Sequence, residues 1–335
     1  MRRPVDDPGA SGQRSRLSIG ENRLEAADRC RGPPAQMSNT VVLNPESGTG
    51  SHGPAVRTVA ADYGYTVRET EQPGDAIDCV AAAVDAGSAF IAAAGGDGTL
   101  NEVVRGIDAA GALDHVTVGV VPCGTGNNVA ANLGITGIEQ AFAAFERGER
   151  RWVDLGFADD RPFVNSCVGG LTAEASAATS VAQKRRFGTA AYLLSTLRTA
   201  RSFDSLRVTV EMYDDPETTP VWTGEAVGLL IGNARRFPPS GSEQADMEDG
   251  RFDVTLVRDT GSVGLLKTAT AERLFNRESQ WTTRYTVAAL DISVDDGPVA
   301  FSLDGEIIHR DRLALRIRPR SLRVAVGDAY EPTPP

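Results

Sequence analysis

A short apolar run that ends in three glycines within four positions constrains this chain more than any other feature. Residues 90–94 read Phe-Ile-Ala-Ala-Ala, which is typical of a parallel strand buried on both faces. Residues 95–98 follow as Gly-Gly-Asp-Gly, and glycine lets a backbone turn sharply and approach a ligand closely because it has no Cβ. Thr99 and Glu102 have the spacing of a capping box, so we predict that a helix begins at Thr99.

The start of such a helix favours phosphate, because unpaired N–H groups and the positive end of the helix dipole point at whatever lies over the turn. A Walker A loop is excluded, since it needs Gly-Lys-Ser/Thr and the only lysines are Lys184 and Lys267. The dinucleotide fingerprint is excluded because Asn101 stands where its third glycine is required. Asp97 would repel triphosphate oxygens unless a cation lay near them, so the turn indicates a Mg²⁺–nucleotide complex.

A plain strand-to-helix connection is the structural alternative for this turn. In that case Thr99 and Glu102 act only as helix caps. Against it, the glycines around Asp97 leave an acid at that position little structural purpose.

Strands and helices alternate on either side of the turn. The predicted strands are Thr40–Leu43, Tyr65–Thr70, Phe90–Ala94 and Thr117–Val121, and the predicted helices are Ala55–Tyr63, Asp75–Ala86, one from Thr99, Asn127–Asn132 and Ile138–Arg147. Such alternation implies a parallel sheet that collects ligands at the carboxyl ends of its strands.

After about residue 150 strand patterns dominate. We predict strands at Arg151–Phe157, Pro162–Cys167, Leu206–Tyr213, Val221–Ile231, Phe252–Val257, Tyr285–Val294, Val299–Leu303 and Leu313–Val326, with helices at Thr172–Gln183, Ala190–Ser202 and Val263–Phe275. The predicted fold class is therefore α/β with two domains, a Rossmann-like nucleotide-binding domain with a parallel sheet and a mostly antiparallel β-rich domain.

The predicted boundaries follow from this change of rhythm. We expect a disordered extension at 1–36, the nucleotide domain at 37–148, the β-rich domain at 149–327 and a tail at 328–335, with the last β-rich segment packing back on the first domain. The catalytic cleft is expected between the two domains.

The charge balance and the cysteines narrow the function classes. A net charge of −11, with arginine as almost the only basic residue, argues against nucleic acid as a partner, because phosphate backbones need a basic surface. Four widely spaced cysteines fit a reducing compartment rather than a disulfide framework or a zinc site. No apolar run approaches the roughly 18–20 residues that span a bilayer. We therefore expect a cytoplasmic protein.

Three other predicted strands also end in turns rich in glycine and hydrogen-bond donors. Residues 44–50 read Asn-Pro-Glu-Ser-Gly-Thr-Gly, residues 73–75 read Pro-Gly-Asp after Thr70, and residues 122–128 read Pro-Cys-Gly-Thr-Gly-Asn-Asn. Each alone is ordinary turn chemistry. A parallel sheet brings all of them to one edge, where they would form a single cradle for a magnesium-bound triphosphate.

These motifs, in this order, resemble the diacylglycerol kinase catalytic-domain family, which includes bacterial soluble lipid kinases and sphingosine kinases. The resemblance covers about residues 39–327. It rests on residues 44–48, 95–103 and 122–127 and continues through 232–233, 249–254 and 303–306.

The resemblance implies transfer of the γ-phosphate of MgATP to the hydroxyl group of a diacylglycerol-like or sphingoid-like lipid. Glu306 matches the proton acceptor, and Asp249, with backbone carbonyls near Asp246 and Arg251, matches a Mg²⁺ position. Asp97 is a second candidate catalytic residue. The candidate ATP-binding residues are Asn44, Ser47, Thr70, Gly96, Asp97, Gly98, Thr99, Leu100, Asn101, Glu102 and Thr125. The implied partner is a lipid at the membrane surface, met by transient peripheral contact, and a homodimer is compatible with it.

Some positions depart from the family's pattern. Asn128 stands where many relatives have aspartate and Ala131 where they have arginine, which affects an expected water-mediated metal contact or substrate choice. Arg235, Arg236 and Phe237 stand where relatives often continue into glycines. They would form a head-group or membrane-contact loop, or a merely solvated one.

Other functions remain as alternatives. An NAD kinase-like enzyme shares the Gly-Gly-Asp-Gly turn, although the motifs at 44–48 and 124–127 favour the lipid branch. A nucleotide-binding regulator without turnover is the second alternative. For Glu306 itself, Asp304-Gly305 is a common hairpin pair that would leave a solvated strand residue after it.

Overall fold

The computed structural model describes residues 39–170, 205–214, 220–237, 243–259 and 281–334. Its first part alternates strands and helices, as predicted, with ends that differ by at most two residues. The elements are β1 (Thr40–Leu43), α1 (Gly53–Asp62), β2 (Thr66–Glu69), α2 (Asp75–Asp85), β3 (Phe90–Gly95), α3 (Asp97–Ala109), β4 (Thr117–Pro122), α4 (Asn128–Asn132) and α5 (Ile138–Arg147).

The first four strands form a parallel sheet in the order β2–β1–β3–β4. Apolar residues of α2 and α3 pack with one face of β3, including Ile91 and Ala93, and those of α1 and α5 pack with the other, including Ala92 and Ala94. Burial on both faces explains why β1 and β3 are uninterrupted apolar runs. All four strands end at the same edge, so their following turns are neighbours.

The described residues of the second part, from Arg150 onward, form almost only β-strands. Its strands are β5 (Arg150–Ala158), β6 (Arg161–Phe163), β7 (Ser166–Gly170), β8 (Leu206–Tyr213), β9 (Val221–Gly232), β10 (Arg235–Arg236), β11 (Glu243–Gln244), β12 (Phe252–Arg258), β13 (Thr282–Val287), β14 (Ala289–Val294), β15 (Val299–Leu303), β16 (Glu306–Arg310) and β17 (Arg312–Ala325). The main path runs β16–β15–β7–β9–β8–β14–β17 with antiparallel pairing throughout.

Strand β17 joins this sheet to the first one. It pairs antiparallel with β14 and β5, and parallel with β4 through Arg323 opposite Thr117 and Val324 opposite Val118. Its pairing with β5 shifts register after Arg318, beside Arg320, whose φ of 48° lies in the left-handed region. The parallel and antiparallel parts therefore share one continuous sheet, and the predicted fold class is confirmed.

Several predicted elements differ from the observed ones. Pro162–Cys167 is two short strands, β6 and β7, and Tyr285–Val294 is likewise divided between β13 and β14. The sequence did not predict β10, β11 or β16. The predicted extension 1–36 and the predicted helices Thr172–Gln183, Ala190–Ser202 and Val263–Phe275 lie outside the described residues. Within the described residues, no helix is long and apolar enough to cross a membrane.

Candidate functional site

The turns that follow β1, β3 and β4 touch one another through glycines. A Cβ on Gly124 would lie 2.3 Å from the Cα of Gly96, and a Cβ on Gly48 would lie 2.4 Å from the carbonyl oxygen of Cys123. The side-chain amide of Asn44 donates to the Thr99 hydroxyl at 3.3 Å. We call residues 44–50, 95–98 and 122–127 the glycine face, because the backbones of three turns approach one another there at glycine positions.

Helix α3 begins two residues earlier than predicted. Its first residue is Asp97 and its N-cap is Gly96, so the capping-box prediction from Thr99 is wrong. Glu102 faces away from the helix start, and its Oε2 accepts a hydrogen bond from the N–H of Gly74 at 3.1 Å. Burial raises the pKa of Glu102, and that hydrogen bond opposes the rise. Glu102 thus ties α3 to the turn after β2.

Asp97 has a structural role that the sequence did not reveal. Its Oδ2 accepts hydrogen bonds from the backbone and side-chain N–H groups of Asn128, and its Oδ1 accepts one from the N–H of Val129, all at 3.1 Å. The expectation that an acid there has little structural purpose is wrong, because Asp97 caps α4. Negative charge at a helix N-terminus is favourable.

The candidate nucleotide-binding residues differ in whether they can reach the glycine face. Leu100 packs in the hydrophobic core, and Asn101 is only 1% exposed and directed at the β-rich part, so neither side chain reaches the glycine face. Gly98 is exposed, and a Cβ there would meet no atom within 4 Å. The candidates that are partly exposed at the edge where the parallel strands end are Asn44, Ser47, Gly96, Asp97 and Thr125. Thr70 is buried at the end of β2, and its N–H donates to the carbonyl of Leu43.

Asp304 connects the β-rich part to α3. Its carboxylate accepts hydrogen bonds from three successive backbone N–H groups, those of Val164 at 2.7 Å, Asn165 at 2.9 Å and Ser166 at 2.8 Å. The side-chain amide of Asn101 donates to it at 2.9 Å. Burial raises the pKa of Asp304, and these four hydrogen bonds lower it. A buried carboxylate with this many donors fixes the hairpin turn against the second turn of α3.

Glu306 follows that turn as the first residue of β16. Its two oxygens each lie 3.1 Å from the same guanidinium nitrogen of Arg105, and Arg161 forms a second ion pair with it. The hairpin turn at Asp304 and Gly305 is confirmed, and Glu306, whose side chain is 33% exposed, is held by these two ion pairs rather than being free in solvent. We call Arg105, Arg161, Asp304 and Glu306 the ionic face.

Arg105 and Arg161 are functional residues that the sequence motifs did not indicate. A signal for Arg105 was present, because Asp97, Asn101 and Arg105 recur every four residues and share one face of α3. Burial lowers the pKa of Arg161, and the neighbouring positive charges of Arg105 and Arg310 lower it further. No local pattern marks Arg161.

Arg235 lies between the two faces. One guanidinium nitrogen is 3.4 Å from Oδ1 of Asn128. Burial lowers the pKa of Arg235, while the charges of Asp97 and Asp304 raise it. Phe237 is 3% exposed, with its ring centroid 5.5 Å from the Arg235 guanidinium carbon. Arg235 and Arg236 therefore form the short strand β10 rather than a loop, and both are partly exposed, while Phe237 is buried.

The candidate metal residues lie on the loop before β12. Asp249 accepts a hydrogen bond from the N–H of Arg251 at 2.9 Å, and Asp246 accepts one from the N–H of Glu248 at 2.9 Å. Burial and the carboxylates of Asp246, Asp154 and Asp253 raise the pKa of Asp249 to about 6, against a lowering by its hydrogen bond with Arg251. In the described part of the chain, no three histidine, cysteine or carboxylate side chains form a metal-binding group, so any cation here needs backbone carbonyls as well.

The chain is similar in sequence to a known family of kinases. The family model for the diacylglycerol kinase catalytic domain matches residues 38–158. A "Probable lipid kinase YegS-like" of Pseudomonas aeruginosa is 32% identical over 261 residues, which cover 77% of this chain and 83% of the relative. A protein of the same name from Chromohalobacter salexigens is 27% identical over 275 residues, 81% of this chain and 87% of the relative.

Solved structures share the fold. A crystal structure of a diacylglycerol kinase from Bacillus anthracis has a TM-score of 0.65 at 18% identity and covers 88% of this chain and 98% of its own. Another structure from that organism reaches a TM-score of 0.70 at 21% identity, with the same two coverages. The chain belongs to the diacylglycerol kinase catalytic-domain family, whose members are phosphotransferases with an alcohol group as acceptor.

Proposed function

We propose that the protein is an ATP-dependent lipid kinase that transfers the γ-phosphate of MgATP to a hydroxyl group of a diacylglycerol-like or sphingoid-like lipid. The observation that carries the proposal is the meeting of three glycine turns at one sheet edge, beside a helix whose next turns bind Asp304 and Glu306. The names of the relatives support a lipid as the acceptor.

The glycine face fits a triphosphate. The N–H groups of the first turn of α3 have no carbonyl partner within the helix, and open space over Gly98 lets phosphate oxygens approach them. Ser47 and Thr125 add hydroxyl donors, and Asn44 and Thr70 lie at the ends of the two neighbouring strands. In this proposal residues 96–102 act mainly through backbone atoms, because the Leu100 and Asn101 side chains are directed elsewhere.

The Mg²⁺ that accompanies ATP would neutralise triphosphate charge and orient the γ-phosphate. Asp249, with backbone carbonyls near Asp246 and Arg251, is the proposed cation position on the chain itself. Its donors are all oxygen atoms, as Mg²⁺ prefers, and burial, together with the carboxylates of Asp246, Asp154 and Asp253, raises the pKa of Asp249. The carboxylates that act on Asp249 are outside the glycine face, so we assign this position a structural role.

The transfer step needs positioning and charge neutralisation more than covalent chemistry. The acceptor oxygen bonds to the γ-phosphorus while the bond from that phosphorus to the bridging oxygen breaks, and the electron pair leaves with ADP. The hydroxyl proton passes to Glu306, late in the step, because a carboxylate is a far weaker base than an alkoxide. Arg105 and Arg161 hold the Glu306 carboxylate in place. Asp97 keeps α4 against the turn.

The test is incubation with γ-labelled ATP, Mg²⁺ and a total lipid extract, with NAD as the acceptor in a parallel reaction. Label in a lipid product supports the proposal, and the mobility of that product identifies the acceptor. Label in NADP alone overturns it in favour of an NAD kinase-like enzyme. Tight ATP binding with no transfer to either acceptor overturns it in favour of a nucleotide-binding regulator.

A further inference from the structure

We propose that Arg235 binds the γ-phosphate of the nucleotide, so that this chain distinguishes ATP from ADP through one guanidinium held between the glycine face and the ionic face. The proposal rests on the proposed function, since it assumes that the glycine face binds a triphosphate. It assigns a further substrate-binding residue, carried by β10 of the β-rich part rather than by the α/β part.

The first argument is position. Asn128 donates through its side-chain nitrogen to Asp97 at 3.1 Å, and its side-chain oxygen lies 3.4 Å from the Arg235 guanidinium. Asn128 thus links the apex of the glycine turn to Arg235. On the other side, the charge of Asp304 also acts on Arg235. A phosphoryl group that moves from the glycine face to an acceptor on the ionic face must pass between these groups.

The second argument is charge. Asp97 and Asp304 place two carboxylates around the path of the transferred group, and a γ-phosphate adds further negative charge. A cation fixed between them reduces that repulsion. A guanidinium suits the task better than an ammonium, because it stays charged and presents a planar fork that matches two phosphate oxygens.

The third argument is rigidity. The turn that delivers Arg235 requires glycine at 232, since a Cβ there would lie 1.5 Å from the carbonyl oxygen of Arg235. Asn233, which is 1% exposed, donates through its side chain to the carbonyls of Asp154 at 3.0 Å and Val164 at 2.7 Å. Asn132 from α4 donates to the carbonyl of Ala234 at 2.5 Å. A backbone fixed in this way presents the guanidinium with little ordering cost on binding.

Arg236 offers a matched control on the same strand. It is adjacent in sequence, so its side chain leaves β10 on the opposite side, and it lies 3.7 Å from Asp253. Replacing either arginine with glutamine removes one positive charge from β10, so an effect of charge alone on nucleotide binding would be equal in the two variants. A contact with the γ-phosphate would be lost only in the Arg235 variants.

The experiment is calorimetric titration of the full chain, in Mg²⁺, with ADP and with an ATP analogue whose β,γ-bridge is a methylene group. We expect Arg235→Gln to weaken binding of the analogue by about 10–100-fold, as for loss of a charged hydrogen bond, and binding of ADP by less than about 3-fold. Arg235→Lys should fall between this variant and the wild type, and Arg236→Gln should match the wild type.

Thermal unfolding of each variant shows whether it is folded, and Arg235→Lys carries the test if Arg235→Gln does not fold. The proposal is overturned if the Arg235 variants lose affinity for ADP and for the analogue equally. It is also overturned if both variants keep the wild-type ratio of the two affinities. In either case the kinase assignment stands. A wild-type protein that binds neither nucleotide overturns the proposed function together with this inference.

Discussion

The glycine face and the ionic face are built by different means. On the glycine face, three turns approach through backbone atoms, and the limiting distances are those to Cβ atoms that glycine lacks. On the ionic face, long side chains meet, and Arg105 and Glu306 are 201 residues apart in sequence. Where its turns meet, the glycine face has no room for an added Cβ. The properties of the ionic face depend instead on which charged side chains are present.

This difference separates two kinds of recognition. A triphosphate is the same in every kinase, and a backbone-built surface binds it without regard to side-chain identity. An acceptor varies from one enzyme to the next, and charged side chains can change while the fold stays the same. We therefore expect substitutions on the glycine face to act on nucleotide binding and those on the ionic face to act on transfer.

The largest expected effect is on the ionic face. Glu306→Gln removes the proposed proton acceptor and half of two ion pairs, and we expect turnover to fall by about 10²–10⁴-fold with ATP affinity unchanged. Turnover from label transfer and affinity from calorimetry measure the two quantities. Glu139→Gln, an exposed carboxylate on α5, is the control. A Glu306→Gln variant with wild-type turnover would exclude this residue as an essential base.

The next effect concerns the glycine face. Gly124→Ala places a Cβ 2.3 Å from the Cα and 3.0 Å from the backbone nitrogen of Gly96, and because these are backbone atoms the two turns must separate. We expect a loss of about 1–3 kcal/mol in the free energy of unfolding and at least about a 10-fold loss in ATP affinity. Urea denaturation and calorimetry measure these changes.

Gly98→Ala tests phosphate contact on the glycine face separately from packing between its turns. A Cβ at Gly98 meets no protein atom within 4 Å, and alanine in the first turn of a helix costs no stability relative to glycine. Stability should therefore be equal to the wild type or higher, with ATP affinity reduced because the Cβ occupies the space of a phosphate oxygen. Unchanged affinity would mean that the triphosphate does not lie over this turn.

The difference between the two faces also explains which parts of the site could be predicted from the sequence. The glycine face was predictable because strand ends and glycines are local signals, and a parallel sheet must bring them together. The purpose of Asp97 was not predictable, because it caps a helix of five residues that begins 31 positions later. For Asp304 the hairpin turn was foreseen, but its donors are the N–H groups of residues 164–166, which no local pattern connects to it.

Strand β16 and Arg235 are two further features that local sequence signals did not predict. β16 lies at the end of the sheet path and, among the described strands, pairs with β15 alone, so its five residues carry no strong alternation of buried and exposed positions. For Arg235 the sequence left open a head-group or membrane-contact loop or a solvated one, and no local pattern indicated strand β10. The pairing of β10 with β11 and the contact with Asn128 place Arg235 beside the start of α4.

The smallest expected effect concerns the Asp246–Arg251 loop, whose neighbouring carboxylates belong to neither face. If a cation binds at Asp249, then 10 mM Mg²⁺ without nucleotide should stabilise the wild type by about 1.4 kcal/mol, for a dissociation constant on the order of 1 mM, and raise Tm by about 2 °C. Asp249→Asn should lose that rise, because the amide lacks the charge that attracts the cation, whereas Asp62→Asn on exposed α1 should keep it. Scanning calorimetry with and without Mg²⁺ measures the shift. An equal rise in Asp249→Asn would place cation binding elsewhere, and an unchanged ATP affinity in this variant would show that the loop acts on stability independently of the glycine face.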